Sequence, residues 1–189
     1  LSLICDKLDI NVWEMIKLAN RHPRVNILQP GPGVGGHCIA VDPWFIVDSA
    51  PEEAKLIRAA RIVNDNKPNF VIDKINHAVN SIGRQESDLT IACLGLAFKP
   101  DIDDLRESPA LSIAKKIDSM QFNKIIIVEP NIKQLPKGFQ SNTKLKSLDN
   151  ALIVADIVVL LVDHSPFKTI NIELLSGKEI IDTRGVWNL

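Results

Sequence analysis

The fold is decided in the second half of the chain, beginning with the run Leu89-Thr90-Ile91-Ala92-Cys93-Leu94. Three further short runs rich in Ile and Val follow it, at residues 124–128, 157–162 and 179–181. Helical stretches separate these runs, notably residues 109–120 behind an N-cap at Ser108. Short apolar strands that alternate with helices indicate a parallel sheet covered on both faces. The sequence therefore predicts a doubly wound α/β unit in this half of the chain.

The first half of the chain has a helical pattern instead. Asn11 followed by Glu14 resembles a capping box, and apolar residues recur at helical spacing behind it. A later helix opens at Pro68 and ends at Gly83, and its apolar face consists of Val71, Ile75, Ala78 and Ile82. These two patterns predict a helical unit that precedes the sheet.

Between these helices, residues 22–48 are interrupted by prolines and glycines, and we expect a long functional loop there. Ser49 followed by Glu52 is the pattern of another helix start, and that helix should run to about Asn64. With a boundary near residues 84–87, the chain divides into a helical unit, residues 1–86, and an α/β unit, residues 87–189.

Composition excludes several classes of protein. The 189 residues carry a formal net charge of −1, so no global field attracts nucleic acid or a membrane surface. The three cysteines lack both disulfide-framework and metal-site spacing, which favours a reducing cytoplasm. No apolar run approaches the length of a membrane span. Leu1 already belongs to an apolar pattern, and we therefore expect a chain cut inside a helix.

The most informative stretch is a glycine-rich loop that ends in a cysteine, Gln29-Pro30-Gly31-Pro32-Gly33-Val34-Gly35-Gly36-His37-Cys38. Its glycines do not form a dinucleotide fingerprint, because that motif needs a strand before it and a helix after it. Here Pro30 and Pro32 interrupt the approach to the glycines, and Pro43 follows soon after, so the loop lacks that strand and that helix. We interpret the stretch as a loop whose bare backbone approaches a ligand and offers it amide groups.

Cys38 closes this loop among glycines and polar residues, where a thiolate can be exposed and stabilised. The local sequence leaves two roles open for it, a nucleophile or a buried structural thiol. Cys5 and Cys93 lie in apolar helix and strand patterns, where free cysteine behaves as a small hydrophobic residue. We expect both of those to be structural.

Three stretches carry a resemblance to a known family, namely 33–38 with Asp42, then 95–99, then 103–109, with sequences GVGGHC, GLAFK and DDLRESP. They resemble the UDP-glucose/GDP-mannose dehydrogenase family, and the resemblance covers essentially the whole chain. The stretch of residues 20–28, NRHPRVNIL, is similar to the branch that oxidises UDP-N-acetyl-D-mannosamine. The implied reaction turns the sugar C6 alcohol into a carboxylate by two hydride transfers to NAD, in a homodimer assembled through the helical unit.

The resemblance also implies roles for single residues. Cys38 would attack the intermediate aldehyde, because a thiolate adds readily to a carbonyl and leaves well from an acyl group. Asp42 would orient water near it, or serve only as a turn residue before Pro43. Arg106 would reach NAD, or merely pair with a neighbouring aspartate. Residues implied to bind the UDP-sugar are His22, Arg24, Gln29, Gly33, Gly35, Phe98, Lys99 and, by a looser match, Arg184.

Other chemically suggestive residues receive no role from the sequence. His37 is adjacent to Cys38, and consecutive side chains diverge, so the sequence does not imply a Cys–His pair. Asp163-His164-Ser165 cannot form a catalytic triad from three neighbours. Glu129 follows the second strand, where a dinucleotide fold places its ribose carboxylate, but no glycine fingerprint precedes it. We therefore expect the α/β unit to bind the UDP part of a substrate, apart from the main NAD site.

The family's N-terminal dinucleotide domain and its catalytic lysine and asparagine are not among the 189 residues. We therefore expect this piece to be inactive by itself and the longer protein to be the enzyme, serving bacterial surface polysaccharide in the cytoplasm. Two alternatives stay open. One is the same chemistry on another UDP-hexose or UDP-N-acetylhexosamine, and the other is a non-catalytic module for nucleotide binding and dimerisation.

Overall fold

The computed structural model describes residues 1–187 of the chain. Its five parallel strands form one sheet in the order β3-β2-β1-β4-β5. The strands are β1 Thr90–Leu94, β2 Lys124–Val128, β3 Thr143–Leu145, β4 Ile157–Leu160 and β5 Glu179–Asp182. The helices are α1 Ser2–Lys7, α2 Val12–Ala19, α3 Asp42–Ser49, α4 Lys55–Asp65, α5 Lys67–Ile82, α6 Pro109–Asp118, α7 Leu148–Val154 and α8 Ser165–Lys168.

The sheet is covered on both faces, as the apolar strands predicted. In β1, Ile91 and Cys93 face a core shared with α5 and α6, while Ala92 and Leu94 face a core shared with α7. Successive strand residues point to opposite faces, so a strand buried on both sides must be apolar throughout. The predicted fold class, a helical part followed by a doubly wound parallel sheet, is confirmed. Strand β3 was not predicted, because its three residues include no apolar run.

Three predicted helix ends are confirmed by their hydrogen bonds and backbone. The Asn11 side chain accepts a hydrogen bond from the backbone N–H of Glu14 at 3.0 Å, which caps α2. Helix α5 ends at Gly83, whose φ of +69° is the left-handed conformation that glycine adopts at low cost. The Ser108 side chain likewise caps α6 by accepting the N–H of Leu111.

Two expectations for the first half were wrong. Residues 22–48 are not irregular throughout, because α3 begins at Asp42 with Pro43 in its first turn, where proline costs no hydrogen bond. Ser49 does not cap the next helix. It ends α3, and its hydroxyl donates back to the carbonyl of Phe45 at 2.7 Å, a local bond available to serine. Helix α4 instead begins at Lys55 without a side-chain cap.

Helix α5 connects the two halves. Its buried residues Val71, Ile75 and Val79 belong to the same core as the inner face of the sheet. The boundary near residue 86 therefore stays a prediction. Among the helices of residues 1–187, none combines the length and apolar character that a membrane span requires.

Candidate active site

The glycine–cysteine loop packs directly against the segment that follows strand β1. A side chain at Gly35 would overlap the backbone carbonyl of Glu107, and one at Gly36 would lie 3.0 Å from the Phe98 ring. Gly36 also has a φ of +96°, which other residues rarely adopt. Two motifs about 60 residues apart in the sequence therefore form one surface, and the contact requires the bare backbone of the loop.

Helix α4 anchors the loop on both sides of Cys38. Asn64 accepts the N–H of Val34 at 2.8 Å and donates to the Val34 carbonyl at 3.1 Å. Arg61, which is buried, donates to the carbonyl of Ile39 at 3.2 Å and to Asp65 at 2.6 Å. Sequence reasoning missed both anchors, because Asn and Arg in an exposed helical pattern give no signal of a distant partner.

Cys38 is exposed, whereas Cys5 and Cys93 are buried as expected. Burial, with a smaller contribution from the charge of Asp118, raises the pKa of the Cys93 thiol to about 12. The Cys38 carbonyl accepts the N–H groups of Val41 and Asp42, which directs the chain into α3. Of the three thiols, Cys38 is the one presented for chemistry.

His37 lies beside that thiol, contrary to the sequence interpretation. Its Nδ1 is 3.5 Å from the Cys38 Sγ, within hydrogen-bond reach for sulfur. The divergence expected for neighbours holds in a regular strand. Here Gly36, with its positive φ, turns the chain just before the pair.

Arg106 and Asp104 form a two-pronged ion pair next to these residues. The guanidinium donates from Nε and Nη2 to the carboxylate, with Nη2 to Oδ2 at 2.6 Å. This hydrogen bond lowers the pKa of Asp104 to about 2. It also raises the pKa of Arg106, to which the charge of Cys38 adds a smaller contribution. The surface pairing weighed for Arg106 is therefore present, and it lies close to the candidate nucleophile.

Four of the residues implied to bind substrate surround one small cavity. Its lining includes Gly33, Phe98, Lys99 and Arg184. Arg184 is held by Asp163, to which its Nε donates at 2.8 Å, and its guanidinium lies against the backbone of Gly31. The cavity measures about 30 Å³. Because pockets for small ligands measure about 300–1,000 Å³, the cavity must widen to admit one.

Three other implied residues lie away from this cavity. His22, Arg24 and Gln29 are exposed, and Asn20 holds their loop by bonding both the N–H and the carbonyl of Ile27. Asp42 is the first residue of α3, and its carboxylate has no hydrogen-bond partner within residues 1–187. A second, larger cavity of about 810 Å³ lies between α2, α5 and β5, and Gly31 is part of its lining.

Glu129 and His164, which received no role from the sequence, are both buried and contact each other. The His164 Nε2 lies 3.0 Å from the Glu129 carboxylate. Glu129 does not face solvent where a ribose would bind. Its carboxylate is turned into the protein, toward the turn that follows β1.

The exposed Cys38 lies above the carboxyl edge of a doubly wound parallel sheet. Ligands of such sheets bind at this edge, so the fold and the site are those of a ligand-binding α/β protein. Comparison with known proteins then specifies the family. Residues 1–66 match the central domain of the UDP-glucose/GDP-mannose dehydrogenase family, and residues 92–189 match its UDP binding domain. The chain belongs to this family, as its motifs predicted.

Curated relatives are similar over the whole chain. UDP-N-acetyl-D-mannosamine dehydrogenase of Escherichia coli K12 is 58% identical over 99% of this chain, and that of Salmonella typhimurium is 56% identical over 99%. An NDP-N-acetyl-D-galactosaminuronic acid dehydrogenase of Ralstonia nicotianae is 56% identical over 100%. The chain spans 46% of the first two relatives and 43% of the third.

Solved structures agree with the fold. A UDP-D-ManNAc dehydrogenase from Pyrococcus horikoshii superposes with a TM-score of 0.84 at 34% identity, over 98% of this chain and 43% of that one. A UDP-N-acetyl-mannosamine dehydrogenase from S. aureus gives 0.79 at 36% identity, over 98% and 43%.

Proposed function

We propose that this chain is the C-terminal part of an NAD-dependent nucleotide-sugar 6-dehydrogenase that oxidises UDP-N-acetyl-D-mannosamine to the corresponding uronate. The observation that supports this most is the exposed Cys38 loop, packed on the segment that carries Phe98 and Lys99. A nucleophile and a cation then lie on one surface at the sheet edge where ligands bind. The names of the similar relatives supply the substrate.

In the proposed reaction, the C6 alcohol first loses a hydride and a proton and becomes an aldehyde. The Cys38 thiolate adds to that aldehyde carbon, the carbonyl oxygen takes up a proton, and a thiohemiacetal forms. Loss of a second hydride and of the hydroxyl proton gives a thioester, and water attacks the acyl carbon, releasing the carboxylic acid and returning the thiol. A bound nicotinamide would accept one hydride in each oxidation. Covalent capture keeps the reactive aldehyde from diffusing away.

The residues around Cys38 would assist this chemistry in different ways. His37 would accept the thiol proton, since its Nδ1 lies within reach of Sγ. Asp42 would orient the hydrolytic water from the start of α3. Lys99 and Arg184 would bind the diphosphate as cations, and Phe98 would pack against the substrate.

Among residues 1–187, we assign one contact with the cofactor to this chain. The exposed guanidinium of Arg106 would contact NAD beside the Cys38 loop. The turn after β1 does not fit a dinucleotide, since its amides are already bonded to Glu129. We therefore assign most of the NAD site to another part of the longer protein, and the UDP moiety to this chain.

The helical unit would form a homodimer. Large apolar side chains are exposed along α3 and α4, namely Trp44, Phe45, Ile46, Leu56, Ile62 and Val63. Exposed apolar side chains concentrated on one unit are typical of an interface. In the dimer, His22 and Arg24 of one protomer would reach the substrate of its partner. The proposed setting is the cytoplasm, in the synthesis of bacterial surface polysaccharide.

The proposal is tested by titrating the 189-residue chain with UDP and with UDP-N-acetylmannosamine in a calorimeter. We expect binding, and no NADH when NAD is added, because the chain contributes only part of the cofactor site. Absence of binding would refute the assignment of the UDP site, and NADH formation would refute the predicted inactivity. A Lys99→Met variant should bind about tenfold more weakly, the loss of one charged contact.

The Ralstonia relative favours a second candidate, the same chemistry on another N-acetylhexosamine nucleotide. Comparing turnover of the two sugars by the longer protein distinguishes these substrates. A Cys38 that stays unreactive in that protein would favour a non-catalytic nucleotide-binding module.

A further inference from the structure

The carboxylate at the end of β2 is bonded inside the protein. Glu129 is 4% exposed and directly follows Val128, the last residue of β2. Its Oε2 accepts the backbone N–H groups of Leu96 at 2.7 Å and Ala97 at 3.1 Å. In dinucleotide-binding sheets, the turn after the first strand offers its amides to a phosphate. Here a carboxylate of the chain itself takes them.

His164 completes the arrangement from the end of β4. Its ring is fully buried, and its Nε2 is 3.0 Å from the same Glu129 oxygen. Its Nδ1 accepts the N–H of Asp101 at 2.9 Å and faces the side-chain amide of Asn131 at 3.2 Å. Because Nδ1 faces donors, the ring proton belongs on Nε2, where it is donated to Glu129.

Asp101 is held in an uncommon conformation by the same neighbourhood. Its φ is +59°, in the left-handed region that residues other than glycine occupy at a cost. Its carboxylate accepts the N–H of Ser165 at 2.8 Å and the Ser165 hydroxyl at 2.7 Å. Surrounding bonds of this kind are what maintain a strained backbone.

The segment of residues 96–101 is therefore clamped at both ends. Glu129 holds its first two amides, and His164 with Ser165 holds its last residue. Phe98 and Lys99 lie between the two clamps, with Lys99 exposed toward the small cavity. Neither Glu129 nor His164 reaches that cavity, so any effect on a ligand must pass through the segment.

We infer that Glu129 and His164 are positioning residues, which hold Phe98 and Lys99 in the conformation that binds the diphosphate of the nucleotide sugar. The inference rests on the proposed UDP site. It gives a role to Glu129 and His164, for which the sequence implied none. The Glu129 carboxylate occupies the amides of the turn after β1 and so excludes a pyrophosphate from them. The same carboxylate orders Lys99, the cation next to that turn.

A double-mutant cycle tests the positioning role by UDP titration of the 189-residue chain. Glu129→Gln keeps the length of the side chain but puts an amide NH₂ against an N–H donor. We expect it to weaken UDP binding about tenfold, and His164→Asn to do the same. The double variant Glu129→Gln/Lys99→Met should bind UDP about as weakly as Lys99→Met alone. Once the Lys99 cation is removed, Glu129 no longer has that contact to position. Glu53→Gln, an exposed change, should leave binding unaltered.

Additive losses in the double variant, or unchanged affinity in folded Glu129→Gln and His164→Asn, would overturn the inference. A general destabilisation would lower the unfolding temperature without altering the affinity of the folded fraction, so it is separable from positioning.

Amide hydrogen exchange provides a readout that does not depend on UDP. In the wild type, the amides of Leu96, Ala97 and Asp101 should be protected, and the ¹⁵N signals of His164 should show a proton on Nε2 alone. Glu129→Gln should speed exchange at Leu96 and Ala97 about tenfold, with little change in β2. If the wild type fails to bind UDP, the proposed UDP site is refuted, while this protection still supports the clamp. Unprotected amides in the wild type overturn the clamp itself.

Discussion

The α-carbon of Gly35 lies so close to the carbonyl oxygen of Glu107 that no side chain fits between them. This contact joins the cysteine loop to the segment that follows β1, and it sets where Cys38 stands above the sheet. It also makes the geometry of the site open to direct tests.

Gly35→Ala should displace the loop, because the added methyl group overlaps the backbone of Glu107 and the ring of Pro109. We expect a loss of about 1–3 kcal/mol in the free energy of unfolding, typical of overpacking. Gly177→Ala is the control, since its side chain would meet nothing within 4 Å and only its φ of +73° is strained. Urea unfolding measures both. An equal loss in the two variants would contradict the packing argument.

Alkylation should distinguish the three cysteines. We expect iodoacetamide to modify Cys38, which is exposed, and to leave buried Cys5 and Cys93 intact in the folded chain. Saturating UDP-N-acetylmannosamine should slow the modification of Cys38. Peptide mass mapping after timed quenching gives the site and the rate. Labelling of Cys93 at a similar rate would show that the sheet opens readily.

His37→Ala should slow that alkylation about threefold or more, because a neighbouring imidazole stabilises the thiolate. The contact of 3.5 Å between His37 Nδ1 and Cys38 Sγ is the basis for this expectation. His77→Ala, an exposed change on α5, serves as the control. If His37→Ala is alkylated at the wild-type rate at every pH from 6 to 9, His37 has no role at the thiol.

Asn64→Ala should loosen the loop from α4, since both hydrogen bonds to Val34 are lost. The expected cost is about 1–2 kcal/mol in the free energy of unfolding. The same substitution at Asn80, which is exposed on α5, should cost less. Faster proteolysis within residues 29–41 in the Asn64 variant, with the rest of the chain resistant, would show that the effect is local.

The free energy of unfolding should fall in acid, partly because the Glu129 carboxylate becomes protonated. Burial alone would raise the pKa of Glu129, but hydrogen bonds from His164 and the Leu96 amide outweigh it and hold the pKa below its usual range. A carboxyl with a lowered folded pKa stabilises the fold above its unfolded pKa of about 4.3. That contribution is lost as the pH falls through the folded value.

Glu129→Gln should therefore flatten the acid side of the stability profile, measured by urea unfolding between pH 3 and pH 7. Glu53→Gln should leave its slope as it is in the wild type. Parallel acid profiles for the wild type and Glu129→Gln would exclude Glu129 as a source of the slope.

Much of the fold was accessible from local patterns. The strands at residues 124–128 and the cap at Ser108 were predicted because apolar runs and capping residues act through their immediate neighbours. Helix α3 and strand β3 were missed. A proline at a helix start looks like a loop residue, and a three-residue strand gains its stability from the strand beside it.

The site divided in the same way. Cys38 and the Phe98–Lys99 pair were identified from motifs, whereas Asn64, Arg61 and the Glu129–His164 pair were not. Their partners lie 22 to 35 residues away, and nothing in the neighbouring sequence marks such a partner.

The sequence by itself determined the alternation of strands and helices, the family, and the one cysteine placed in a glycine loop. These depend on apolar periodicity and on residue types at short spacing. Only the tertiary structure decided that His37 contacts Cys38 and that Glu129 turns inward. The direction of a polar side chain depends on which donors and acceptors the fold brings within about 3 Å of it, and those come from other strands and loops.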